Sequence, residues 1–291
     1  MSHWTLGIIG GSGLYELDGL ANVRRERIET PWGDPSDALT FGELHGVPLV
    51  FLPRHGQGHR LSPADIPYRA NIAALKQAGC TDILSISACG SLREELPPGH
   101  FVIVDQYVDR TEGRQRSFFG PGCVAHVPMA DPVCSRLSRL VAEAGTAAGI
   151  ALTPRGTYLA MEGPQFSTRA ESELYRLWGM DVIGMTNMPE ARLAREAELP
   201  YASIAMVTDY DCWRENTHSV DVALVLEVMR ANTVKAKHLL DRLTAAMSAQ
   251  PRTPGPDGIE TVLDSAIITA PGARDPQMVQ RLAMIAGRVL G

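Results

Sequence analysis

Two acidic residues, Asp209 and Asp211, stand directly after an apolar run at 201–207 that has small residues and no proline. The run reads as a strand buried between layers. If the chain stays extended to 211, both carboxyl groups leave on one side. Paired carboxyl groups can donate and accept protons, and the carboxyl end of an interior strand is where open α/β sheets bind ligands. Near the N-terminus, Gly10-Gly11-Ser12-Gly13 follows a short apolar strand at 6–9. Three glycines around a serine allow a tight turn whose N–H groups face inward as a nest for an anion. The loop lacks the Lys-Ser/Thr ending of an ATP loop, and Glu16 stands where a dinucleotide loop carries its last glycine. A third polar loop, Arg54-His55-Gly56-Gln57-Gly58-His59, sets arginine and histidine among glycines. Those glycines oppose a helix and no glutamate follows His55, so the loop suits an oxyanion better than a zinc ion.

Such groups need a rigid scaffold to hold them. Strands are expected at 39–42 and 47–53, joined as a hairpin near Gly46, and at 83–87, 101–104, 157–161 and 182–185. Helices are expected at 68–78, 133–148, 168–178, 190–198, 220–247 and 276–290. Ala88-Cys89-Gly90-Ser91 reads as a small-residue loop, 110–123 as a polar excursion, and 251–258, with three prolines and two glycines, as a surface linker. Alternating strands and helices predict an α/β fold in one domain, 1–250, with 251–291 as a linker and C-terminal helical extension of it.

The 291 residues are 45% hydrophobic, ample for a core. Lys plus Arg number 27 against 33 Asp plus Glu, a formal charge of −6 with no basic run, which disfavours a nucleic-acid partner. Five cysteines without a CxxC pair fit a reducing compartment. No apolar segment is long enough for a bilayer and the N-terminus lacks a signal-peptide pattern, so a soluble cytoplasmic protein without a membrane partner is expected.

Six ordered segments carry a family resemblance: GIIGGSGLYELDG, PRHGQGH, ACGSLREELPPG, MEGPQFSTRAE, GMTNMPEARLAREAELPYASIAM and VTDYDCW. Together they resemble the methylthioadenosine phosphorylases, within the broader trimeric purine nucleoside phosphorylases. The resemblance implies a mixed, partly barrel-like central sheet flanked by helices, and a homotrimer or a dimer of such trimers. It implies phosphorolysis of a small-molecule purine nucleoside, with inorganic phosphate as co-substrate and neither metal nor organic cofactor. By motif, Ser12, Arg54, His55, Ser87, Ala88 and Thr186 correspond to the phosphate site. Phe166, Ser167, Met185, Asp209, Asp211, Val220 and Ala223 correspond to the nucleoside site, and His126 to a residue that caps a neighbouring subunit's site. Arg54 would offer phosphate a charged fork, and Asp209, neutral through a raised pKa, would meet N7 of the purine.

Two departures bear on substrate. Gly184 stands where relatives commonly carry asparagine, which removes an amide and either loosens the purine contact or leaves room for water, and the segment 213–220 is shorter than in many relatives. Two carboxyl groups match the donor and acceptor edge of adenine better than that of a 6-oxo purine. A phosphorylase of purine nucleosides or methylthioinosine is the neighbouring alternative, and a noncatalytic nucleoside-binding module the remote one.

Overall fold

Apolar runs of strand-forming residues pair into one mixed eleven-stranded sheet in the computed structural model, which describes residues 3–214 and 222–290. In chain order the strands and first helix are β1 (Leu6–Gly10), β2 (Ala21–Glu26), β3 (Leu39–Leu44), β4 (Val47–Pro53), α1 (Tyr68–Gln77), β5 (Asp82–Ser91), β6 (Phe101–Val104) and β7 (Gln106–Arg110). After these come α2 (Ser135–Ala147), β8 (Leu152–Thr153), β9 (Thr157–Met161), α3 (Arg169–Leu177), β10 (Val182–Gly184), α4 (Glu190–Glu196), β11 (Tyr201–Asp209), α5 (Val222–Ser248) and α6 (Pro276–Leu290).

The sheet forks at β5. Its main path runs β2-β3-β4-β1-β5-β10-β9-β7, while β11 pairs with β5 and β6, and β6 pairs with β8. Strands β4, β1, β5 and β11 run parallel, so their carboxyl ends gather at one rim. Among the described residues no ladder closes the two arms into a ring. Alternate residues of β11 serve opposite layers, as a period of two requires. Ala202, Ile204 and Met206 pack in a core with α2 and α5, whereas Tyr201, Ala205 and Val207 pack in a core with α1, α4 and α6. Helix α6 contributes Leu282, Ile285 and Ala286 to that second core. Each fully buried Leu or Ile there contributes about 1.5–3 kcal/mol, so the C-terminal segment is fastened to the same body. No helix among the described residues is long and apolar enough to cross a membrane.

The hairpin forms as expected, with His45 (φ 52) and Gly46 (φ 77) as the two-residue turn between Leu44 and Val47. Thr168 caps α3 through a reciprocal box with Glu171. Two expectations change, and one strand forms where none was expected. Residues 88–91 are not a loop: β5 continues through them because β11 pairs with it as far as Gly90 and β10 takes up Gly90 and Ser91. Strand β2, with the sequence ANVRRE and every residue exposed, has no apolar alternation to announce it. The segment 251–258 is more than a surface linker, since Arg252 donates to buried Asp82 at 2.6 Å and to Glu260 at 2.8 Å.

Candidate functional site

On one edge of β5, β1 pairs only as far as Ser85 and β10 begins only at Gly90. The opposite edge is occupied by β11 throughout. Residues 86–89 thus border a gap in the sheet, and there a cavity of about 430 Å³ opens at the carboxyl ends of β1, β4, β5 and β11. That volume suits a small-molecule ligand.

At the β1 and β4 end the wall holds Gly10, Gly11, Gly13, Arg54, His55, Ser87, Ala88 and Thr186. The glycine loop differs from the expected nest: Gly10, Gly11 and Gly13 avoid positive φ, and Ser12–Tyr15 form a 3-10 turn instead. Gly10 is closely packed: a Cβ there would stand 2.4 Å from Leu14 Cδ1 and 3.3 Å from the Ile86 carbonyl. Ser12 lies in this turn, and its side chain is outside the described residues.

Arg54 lines the cavity but its fork is taken. Nε donates to Glu190 Oε2 at 2.9 Å, Nη2 to Glu190 Oε1 at 3.1 Å and to Ser85 Oγ at 2.5 Å, and Nη1 to the Ile86 carbonyl at 3.3 Å. Burial alone would raise the Glu190 carboxyl, but the guanidinium overrides it and holds the acid below its usual range. Of five guanidinium hydrogens, one on Nη1 has no partner in this set. Glu190 carries no sequence signal as a site residue; it faces inward from the first turn of α4, a position that suits an acid on helix-dipole grounds alone.

His55 is held neutral: burial lowers its pKa to about 4, reinforced by Arg54 and His59 and opposed by the Leu61 carbonyl. Nδ1 sits 2.9 Å from that carbonyl, which can only accept, so Nδ1 carries the proton and Nε2 is an acceptor. The His59 ring stacks on His55 with centroids 4.0 Å apart.

At the β11 end lie Asp209 and Asp211. The backbone does not stay extended between them. A register shift between Val207 and Asp209 marks a bulge, β11 ends at Asp209, and Asp211 takes φ 52 with its N–H donating to Asp209 Oδ1 at 2.8 Å. This Asx turn, rather than strand alternation, brings both acids to the cavity. Burial raises both pKa values. For Asp209 the Thr208 hydroxyl and the Asp211 N–H oppose the rise; for Asp211 the nearby Ser172 hydroxyl opposes it and the charge of Asp209 adds to it. Asp211 Oδ2 and the nearby Ser172 hydroxyl are both buried without a hydrogen-bond partner.

Apolar walls join the two ends. Phe166, half exposed, and Met185 line the cavity with Met161, Met206 and Met229. Val225, Met229 and Thr233 form an i, i+4, i+8 stripe on α5 that reaches the cavity, a helical spacing visible in the sequence but not singled out. Ser167 is buried behind this wall, its hydroxyl 3.6 Å from Met161 Sδ. Val220 lies outside the described residues, as does the side chain of Ala223, whose backbone belongs to α5. His126 is exposed and apart from its own chain's cavity, with its N–H donating to the Ala266 carbonyl.

The space expected for water beside Gly184 is filled. A Cβ at Gly184 would stand 1.9 Å from the Tyr158 hydroxyl, so the tyrosine occupies the volume of the missing side chain. That hydroxyl is buried without a partner, and burial pushes its pKa up to about 12.

A family model described as the phosphorylase superfamily matches residues 5–245. The chain belongs to the phosphorylase superfamily. Within the superfamily it is 56% identical over 285 residues to an S-methyl-5′-thioadenosine phosphorylase of Cereibacter sphaeroides, covering 98% of each chain. It is 57% identical over 290 residues to the enzyme of that name from Bradyrhizobium diazoefficiens, covering 100% of this chain and 99% of that one. Among solved superfamily structures, a methylthioadenosine phosphorylase from an antarctic soil metagenomic library matches with TM-score 0.90 at 45% identity, covering 98% of this chain and 99% of that one. The methylthioadenosine phosphorylase of Schistosoma mansoni in complex with adenine matches with TM-score 0.85 at 38% identity, over 91% and 99% of the two chains.

Proposed function

We propose that this chain cleaves S-methyl-5′-thioadenosine with inorganic phosphate, giving adenine and 5-methylthioribose 1-phosphate. One observation carries the reading: a single cavity has hydroxyls, glycine backbone and an arginine at one end and, at the other, partly buried Asp209 and buried Asp211, both of raised pKa. The first end suits an anion and the second a purine edge.

In this reading Ser12, Arg54, His55, Ser87, Ala88 and Thr186 hold phosphate. The arginine, neutralised in part by Glu190, contributes its remaining Nη1 hydrogen rather than an open fork. Neutral His55 offers Nε2 as an acceptor to a protonated phosphate oxygen. A phosphate oxygen bonds to C1′ as the C1′–N9 bond breaks and its electron pair leaves with the base. Orientation does most of the work, because the nucleophile is already charged. The departing purine gathers negative charge, which a proton from the Asp209 and Asp211 pair relieves at N7. The second carboxyl accepts from the exocyclic amine. Thr208 Oγ1 lies 3.1 Å from the Cys89 carbonyl and 2.8 Å from Asp209 Oδ2. Its single hydrogen can serve only one of the two, and given to the carboxylate it opposes the rise that burial imposes on Asp209. Phe166 and Met185 line the space for base and ribose, and the resemblance assigns Ser167, Val220 and Ala223 to the nucleoside site. The reaction calls for no metal or organic cofactor.

On the same reading the enzyme works in the cytoplasm as a homotrimer, singly or as a dimer of trimers, with His126 closing a neighbour's cavity. Light scattering on the eluted protein tests the assembly. Incubation with adenosine, inosine, methylthioadenosine and methylthioinosine, with and without phosphate, tests the chemistry. Methylthioadenosine is expected to react fastest, only with phosphate, and to yield one sugar phosphate per adenine. Equal rates for methylthioadenosine and methylthioinosine would defeat the assignment of the base, and release without phosphate would make the protein a nucleosidase.

A further inference from the structure

Ser87 and Thr186 are phosphate ligands under the proposed function, and a role for the residue behind them rests on that reading. Both hydroxyls converge on one buried atom. Oδ1 of Asn187 lies 3.1 Å from Ser85 Oγ, 3.4 Å from Ser87 Oγ and 3.5 Å from Thr186 Oγ1. Asn187 is fully buried, and its Nδ2 donates to Ser203 Oγ at 2.7 Å.

The network reaches Arg54 at its far end. Arg54 can only donate, and its Nη2 stands 2.5 Å from Ser85 Oγ. Ser85 therefore accepts from the guanidinium, and its own hydroxyl lies beside both Asn187 Oδ1 and the Glu190 carboxylate. The amide presents its oxygen to the three hydroxyls and its nitrogen to Ser203. An amide oxygen has two lone pairs. Ser85, the nearest, takes one, and Ser87 and Thr186 share the other at the limit of hydrogen-bond distance. Their protons are oriented but weakly held.

We propose that Asn187 is a positioning residue for phosphate: its amide oxygen aligns the Ser87 and Thr186 hydroxyls and yields their protons to the anion. A neutral acceptor suits this task. It helps to order two hydroxyl rotors, yet competes poorly with a charged phosphate oxygen, whose hydrogen bonds are roughly twice as strong. Asn187 also has φ 70, a left-handed conformation that asparagine tolerates. A purely conformational role would be met equally well by glycine, which separates the two explanations.

The test compares wild type, N187G, N187D and S203A for kcat, KM for phosphate and KM for methylthioadenosine. N187G keeps the backbone and deletes the amide, so KM for phosphate is expected to rise about threefold to tenfold, the worth of about one neutral hydrogen bond. N187D puts a carboxylate beside the anion and grips both protons, so a rise of about tenfold or more is expected, falling back as pH drops and the new carboxyl is protonated. S203A, which removes the partner of Nδ2, is expected to shift KM for phosphate in the same direction by less, and it keeps the test open should N187D not fold. KM for methylthioadenosine should stay within about twofold in all three, since the amide touches no base or sugar wall. The proposal is overturned if N187G and S203A leave KM for phosphate unchanged, or if both KM values rise together. Base release by wild type without phosphate would instead overturn the broader reading.

Discussion

Replacing Glu190 by glutamine tests whether the Arg54 pair is worth what its geometry says. The two side chains are 3% and 1% exposed, and the carboxylate accepts from Arg54 Nε, Arg54 Nη2 and the Tyr201 hydroxyl. Glutamine removes the charge and turns one acceptor into an NH₂ facing donors. Leaving a buried charge without its partner costs about 3–5 kcal/mol. An unfolding entropy of about 2.1 cal/mol/K per residue, taken over 291 residues, gives about 0.6 kcal/mol/K. The midpoint should therefore fall by about 5–8 °C in calorimetry without phosphate, at fixed protein concentration. Added phosphate should restore E190Q more than it stabilises wild type, because the anion meets the guanidinium that the carboxylate no longer covers. The acid limb supplies the sign: Glu190 is held below its ordinary value of 4.5, so its contribution is complete above that pH and is lost as pH falls through the lowered value. E190Q should lack this component. A midpoint within about 1 °C of wild type, under 1 kcal/mol on the same scale, with no larger phosphate shift, would mean that the buried pair does not carry this energy.

Three further outcomes are expected. D209N and D211N should each lower kcat by about 10²–10⁴-fold, the usual worth of a positioned proton donor. Burial raises both acids, so wild-type kcat should decline as pH rises through the raised values, and that limb should flatten in the variants; unchanged turnover and pH profile in both would remove the acids from the mechanism. His55 should titrate near 4 by NMR, with Nδ1 protonated above that; because the folded value is depressed, its stabilising contribution is whole above the ordinary 6.5 and fades as pH falls through about 4. G184A should destabilise by about 1–3 kcal/mol through overpacking, and Y158F should recover part of it in thermal melts, because the hydroxyl is the atom nearest the added Cβ.

Much of this architecture is legible in the sequence because burial writes periodicity into it. Tyr201 to Val207 announce the interior strand, Gly46 the hairpin turn, and Thr168 with Glu171 the start of α3. The acids at 209 and 211 are visible too, but their approach depends on a bulge and a left-handed turn that no alternation encodes. Residues 88–91 resemble a loop because small residues fit loops and crowded strands alike; only their pairing with β10 and β11 decides between the two. Glu190, Asn187 and Tyr158 are hidden for a different reason. Their contacts reach Arg54, Ser85 and Gly184 across tertiary distance, and no local spacing marks such partners.

The fork at β5 also distributes tolerance to change unevenly over the chain. Strands β2 and β8 terminate separate arms, and neither borders the cavity. Insertions or trimming there can accumulate during divergence while turnover persists. β5 has no such latitude: one register slip along it would displace both the anion hydroxyls and the neighbours of the two acids at once. Divergence in this protein should concentrate at the sheet's extremities and spare its branching strand.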